Sequence, residues 1–135
     1  MVDSGSFEHC IDAESELPGH EVQRSPGQDV GQVVETAGGH ELKNQGQVHV
    51  EFETQEGLES DVTIQNIKVT TPILSVRKLV RKGHHVQFRQ GGGSIIAAGT
   101  GQKMNFVERG GVYYIKLKIR PPVAKNSQSG FTRRG

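Results

Sequence analysis

Apolar and polar residues alternate most cleanly around Val48, Val50 and Phe52, which are interleaved with Gln47, His49, Glu51 and Glu53. Period two predicts a strand with one buried face. Glu56-Gly57 predicts the turn after it, and Val62 and Ile64 resume the alternation. Ile67 and Val69 fall on the opposite parity, which predicts a bulge or bend near Gln65-Asn66. Pro72 ends that strand's pairing, because proline has no N–H to give a ladder. Upstream, Val33-Val34-Glu35-Thr36 and Glu41-Leu42 flank Gly38-Gly39, a hairpin signal. Residues 11–32 are polar and punctuated by Pro18-Gly19 and Ser25-Pro26-Gly27. They predict loop, with at most a short strand near Val22.

The pattern changes period once. Val76, Leu79 and Val80 stand at i, i+3 and i+4, which predicts one helix. Ser75 is placed to cap it, because its hydroxyl can accept from a free N–H of the first turn. Arg77, Lys78, Arg81 and Lys82 cover the other face, and Gly83 suits the C-terminal stop. Val86 and Phe88 then predict a strand, Gly91-Gly92-Gly93 a loop, Ile95-Ile96-Ala97 a short strand and Gly99-Thr100-Gly101 a turn. Met104 and Phe106 open another strand, and Gly110-Gly111 turns it. Val112 to Ile119 predicts a last strand with Tyr113, Ile115, Leu117 and Ile119 on one face. From Arg120 onward the segment RPPVAKNSQSGFTRRG has Pro-Pro and no acid, which predicts a disordered basic tail or linker over 120–135.

Composition agrees with a β-rich chain. Val plus Ile number 23 against 6 Leu and 5 Ala, and there are 18 Gly. The core is lean for 135 residues, which makes burial by self-association plausible. The net charge of +1 hides a split. Residues 1–60 hold 13 acids and two bases, so −11; residues 61–135 hold two acids and 14 bases, so +12. That excludes a uniformly basic nucleic-acid binder but leaves a basic C-terminal half. No apolar run approaches the ~20 residues of a membrane-spanning helix. The acidic start MVDSGSFEHC is neither a signal nor a transit peptide. One cysteine, Cys10, cannot form an internal disulfide. These features suggest a cytoplasmic or particle-enclosed protein that is not secreted.

Asp3-Ser4-Gly5 is the tripeptide that carries chemistry. Asp-Ser/Thr-Gly is the signature of aspartic proteases, although three small polar residues also make an ordinary turn. The ordered context adds to it. VDSGSFEHC resembles the Asp-Ser-Gly-plus-His start of protease domains in copia-type retrotransposon polyproteins. VVETAGGHELKNQGQVHVEF resembles a flap hairpin and its following strand, with Gly38-Gly39 at the tip. PILSVRKLVRKGHHVQF resembles the hydrophobic pair, small residue, helix, Gly and strand of retroviral-type proteases. Ile73-Leu74-Ser75 stands in the hydrophobic–hydrophobic–Gly place. ERGGVYYIKL resembles the end of copia-type protease regions.

The resemblance covers roughly residues 2–119. It implies a mainly β, retropepsin-like closed barrel with one short helix and additional C-terminal β-hairpins. It also implies an aspartic endopeptidase that processes a retroelement polyprotein. Two carboxylates sharing one proton supply both an activated water and an acid, since like charges in contact cannot both ionise. Only one Asp-Ser-Gly is present; Asp12, Asp29 and Asp61 lack the following Ser/Thr-Gly. A monomer therefore has half a site, and the resemblance implies a homodimer in which Asp3 of each copy meets on the two-fold axis. In that reading Asp3, Ser4 and Gly5 are catalytic. The hydroxyl of Ser4 interlocks the two loops and the N–H of Gly5 holds the carboxylate. Ser6, Gly38, Gly39 and Ile73 bind a polypeptide substrate; Ile73 also suits plain core. No cofactor or metal is implied. An apolar strand usually precedes the catalytic Asp in such proteins, and only Met1-Val2 stand there here, so a region cut at its N-terminus is expected.

Other chemistries fit less well. His9-Cys10 could pair on zinc, but adjacent residues seldom bind one ion without further ligands. Cys10 with a histidine base would make a cysteine hydrolase, and no motif supports it. GGGSIIAAGTG lacks the Gly-Lys-Ser/Thr ending of a phosphate loop. The basic helix face and the tail could touch nucleic acid, yet aromatics are only 5% and Trp is absent, so a stacking platform is thin. An inactive fragment of the protease fold is the remaining alternative.

Overall fold

The computed structural model describes residues 1–36 and 38–122. The fold is mainly β. One six-stranded sheet contains β1 (Val2–Asp3), β7 (Leu74–Ser75), β8 (His85–Arg89), β9 (Gly92–Ile96), β10 (Lys103–Arg109) and β11 (Val112–Tyr114). Its order is β7-β1-β11-β10-β9-β8. A four-stranded sheet runs in the order of β12 (Leu117–Ile119), β5 (Gln47–Thr54), β6 (Glu59–Asn66) and β2 (Cys10–Ile11). β3 (Val33–Glu35) and β4 (Glu41–Lys43) form a separate hairpin. The sequence's predicted hairpin is therefore present, with Gly38 and Gly39 in its connection.

Alternation explains the longest pairing. Val48 faces Ile64 and Val50 faces Val62 across β5 and β6. With Ile11, Ala13 and Leu17 they build one core cluster. The ladder from Gln47↔Gln65 to Glu53↔Glu59 is regular, and the predicted irregularity comes just past it: Gln45 and Gly46 together face Asn66, the N–H of Gln45 donating to the Asn66 carbonyl and the N–H of Asn66 to the Gly46 carbonyl. The parity changes at this bulge, where β6 also gains a partner on its other side. Gln65 and Asn66 pair in parallel with Cys10 and Ile11, and the N–H of Ile67 then bonds the carbonyl of Ile11. A second cluster holds Val2, Ile95 and Phe106, with Leu74, Leu79, Met104 and Tyr113 against it.

Several expectations need correction. Among the described residues three short helices occur, not one: α1 (Ala13–Glu16), α2 (Pro26–Asp29) and α3 (Val76–Arg81). Ser25 caps α2 and Pro26 opens it, so the Ser-Pro-Gly read as loop is a helix start. On α3, Ser75 caps as expected, accepting from the N–H of Lys78, but Val80 is 54% exposed and only Val76 and Leu79 pack inward. The last predicted strand is two strands. β11 serves the first sheet and β12 crosses to the second, where Ile119 joins the other core cluster. One parity of apolar residues thus feeds both sheets. The Gly91-Gly92-Gly93 loop is largely strand, because Gly92 and Gly93 pair with both β8 and β10.

The barrel is not closed. The two sheets are curled, and β2 is too short to cover β6, which it meets only at Gln65 and Asn66. Residues 59–64 have no strand partner on that side among the described residues. A cavity of about 560 Å³ lies between the clusters, lined by Phe52, Leu79, Ile95, Met104, Ile115 and Leu117 among others. At the far end, Arg120 belongs to the folded body rather than to a free tail. Its N–H bonds the carbonyl of Glu51 and its guanidinium reaches Glu59 at 2.5 Å. Residues 123–135 of the predicted tail lie outside the described residues. No helix among the described residues is long and apolar enough to cross a membrane.

Candidate active-site cleft

β1 is only two residues long, yet it is held on both sides. Val2 pairs with Tyr113 of β11 and Leu74 of β7, and Asp3 pairs with Ser75. Val2 is buried, which anchors the strand and brings Asp3 to its end. The chain turns there. The N–H of Gly5 donates to Asp3 Oδ1 at 2.8 Å. A side chain at Gly5 would put its Cβ 3.3 Å from that same oxygen, so the turn suits glycine. The bond orients the carboxylate from its own loop.

Asp3 opens into a cleft of about 960 Å³. The loop supplies Gly5, Ser6 and Phe7 to its lining; the β3–β4 hairpin supplies Val33, Val34 and Leu42; Val69 and Ile73 come from the segment before β7. These side chains give the cleft most of its apolar surface, beside polar Gln32, Lys68, Thr70 and Thr71. Of the residues singled out in the sequence, Asp3, Gly5, Ser6 and Ile73 line the cleft. Ser4 is exposed beside it. Gly38 and Gly39 stand exposed at the hairpin tip and are not among the described lining, whereas the neighbouring Thr36 and His40 are. Thr36 closes the tip by accepting from the N–H of His40 at 3.2 Å.

Two other carboxylates line the cleft, Glu8 and Glu35. Glu8 is committed elsewhere: Lys78 Nζ lies 2.6 Å from its Oε1, with both side chains partly buried. That leaves Asp3 as the loop's free acid. One carboxylate can take up or give a proton at a water or carbonyl, but not do both in one step.

Sequence reasoning missed the residues that hold this loop and hairpin. His9 and Ser75 are both buried, and the N–H of Ser75 donates to His9 Nδ1 at 2.9 Å. Ser75 Oγ donates to the carbonyl of Ser6 at 2.6 Å. Asn44, just past β4, is buried and fully used. Its amide donates to Gln32 and Gln65 at 2.8 Å each, and its Oδ1 accepts from Ser25 and from the N–H of Gly46. This network roots the hairpin on β6. An Asn in the polar stretch Lys43-Asn44-Gln45-Gly46 reads only as a turn in sequence, so nothing there could have flagged it.

The buried groups at positions 9 and 10 are not built for nucleophilic or metal chemistry. Burial pushes the Cys10 thiol up to about 11, with nearby Glu8 adding to it, which opposes a nucleophilic thiolate. Burial first, and then Lys78, push His9 down to about 4. No three His, Cys, Asp or Glu converge as a metal site would need among the described residues. The His9 shift has a sign. The unfolded imidazole takes up its proton near pH 6.5, while the folded one resists until about 4. Stability is therefore full above pH 6.5 and falls as the pH drops towards 4, by about 3 kcal/mol from this group. Denaturant unfolding across pH 4–7 checks this. His9→Asn should flatten the dependence over that window, and an unchanged slope would refute the assignment.

No family model, curated protein or solved structure matches this chain.

Proposed function

We propose that the chain is one half of a retropepsin-like aspartic endopeptidase acting on a retroelement polyprotein. The supporting observation is the Asp3 carboxylate. It is held by the Gly5 N–H within its own loop, and it faces a partly apolar cleft walled by a glycine-tipped hairpin. In this reading two copies bring their Asp3 side chains together. One carboxylate takes a proton from the attacking water while the other gives one to the carbonyl oxygen. The pair titrates as a unit. Ser4, exposed at the turn, is free to meet the partner copy's loop. The β3–β4 hairpin closes on the substrate backbone through Gly38 and Gly39 and excludes bulk water. Ser6 and Ile73 contact the substrate's side chains. The setting is the cytoplasm or an intracellular particle.

The experiment follows from the half-site. Peptide cleavage per chain should rise with protein concentration and level off where sedimentation shows dimer. Cleavage per chain that stays constant while sedimentation shows only monomer would overturn the two-copy reading. Monomer alone, with no cleavage at any concentration, would favour an inactive domain of the same fold.

A further inference from the structure

We propose that His9 and Ser75 form a latch that keeps the Asp3 loop in working shape and releases it when His9 takes up a proton. The functional half of this inference rests on the reading of Asp3 given above; the latch itself rests on geometry alone.

Ser75 has a double position. In the β1–β7 ladder it is the partner of Asp3, and through its own N–H it holds His9, six residues further along the chain. The loop between Asp3 and His9 is thus closed at both ends on one buried residue. Its middle is held too, since Ser75 Oγ donates to the carbonyl of Ser6 and accepts from the N–H of Lys78. Ser6 Oγ in turn donates to the carbonyl of Glu8. Ser6 lines the cleft, so the latch and the cleft share a residue.

The backbone donor fixes the ring's proton. Ser75 N–H can only donate, so His9 Nδ1 must be bare and the neutral ring carries its hydrogen on Nε2. A second proton must go to Nδ1. It would remove the acceptor and set two N–H groups against each other in a buried site. The charges around the ring are Lys78 and Lys82 from α3, which oppose protonation, and Glu8 from the loop, which favours it. Glu8 is already matched by Lys78, so the added charge has no free partner there. Neither His9 nor Ser75 is placed on the substrate; both act as positioning residues.

Two variants test the latch. In His9→Asn the side-chain oxygen branches from Cγ as Nδ1 does, so it can accept from Ser75 without titrating. His9→Leu removes the acceptor. Backbone amide NMR should be run in an Asp3→Asn background, so that Asp3 itself does not titrate. There, the Ser6 and Ser75 amides should shift on acidification with the same midpoint as the His9 ring, and the shift should vanish in Asp3→Asn/His9→Asn. With the native Asp3, kcat/KM at neutral pH should fall on the order of tenfold in His9→Leu. His9→Asn should restore it and should lose the acid-side fall that His9 causes in the parent. Ser6 and Ser75 amides that ignore the His9 titration would overturn the latch, as would an unaltered acid limb in His9→Asn. If the amides follow His9 but the parent cleaves no peptide, the latch stands and the protease reading falls.

Discussion

Asp3→Asn should abolish peptide cleavage while leaving the domain folded. The loss should be roughly a thousandfold or more, because proton transfer by a positioned carboxylate supplies that order of rate and the amide can do neither half of it. The fold should survive for a structural reason. Asn Oδ1 can still accept from the Gly5 N–H, the bond Asp3 makes at 2.8 Å. Val2, which anchors the strand, is untouched. The unfolding free energy should therefore change by no more than about 0.5 kcal/mol. Cleavage of a peptide and unfolding in denaturant, measured on the same preparation, make the check. Cleavage that survives the substitution would sink the mechanism, and a collapse in stability would mean that the loss of activity says nothing about chemistry.

Gly93→Val should cost more stability than any substitution in the cleft. Gly93 lies in β9, with Phe88 of β8 on one side and Phe106 of β10 on the other. Having no side chain, it lets those two rings meet edge to face at 5.5 Å, and Tyr113 packs on both. A Cβ there would run into the carbonyl oxygen of Gln87 and the ring of Phe106. The oxygen is backbone in a paired strand and cannot turn aside. Overpacking of this kind typically costs 1–3 kcal/mol, and here strand pairing is at stake as well, so about 3 kcal/mol or more is expected. Gly91→Ala is the control. Nothing lies within 4 Å of a Cβ there, and only its positive φ is strained, so about 1 kcal/mol is expected. Similar midpoints in urea for the two variants would show that the ring cluster is not what requires glycine.

That pair of glycines also shows where the sequence was legible. A glycine triplet between apolar runs reads as a loop, because the residues that make it strand are rings on both neighbouring strands. Val48, Val50, Val62 and Ile64 were legible because one sheet face buries them and their partners follow within one hairpin. Val112 to Ile119 was half legible. Its parity is right, but nothing local says that the chain changes sheets near Ile115. For the cleft, Asp3 and Gly5 form a local turn and could be read from three adjacent residues. Glu8–Lys78 and His9–Ser75 are separated by 70 and 66 positions, and each member has a bland local role, as a loop acid, a helix cation, a small polar residue or a cap. The barrel's failure to close was hidden for the same reason, since it depends on how little of β6 a two-residue strand covers.

The uncovered run 59–64 of β6 bears on solubility. A bare strand edge is a template on which another molecule's strand can continue the sheet, and charged side chains are the usual deterrent. Glu59 and Asp61 are the charges on this run, but the Arg120 guanidinium offsets the first. The repulsion left to keep two copies apart is thus smaller than two acids would suggest. This edge and that of β8, the last strand of the larger sheet, rather than either buried cluster, are where crowding would join copies into larger assemblies.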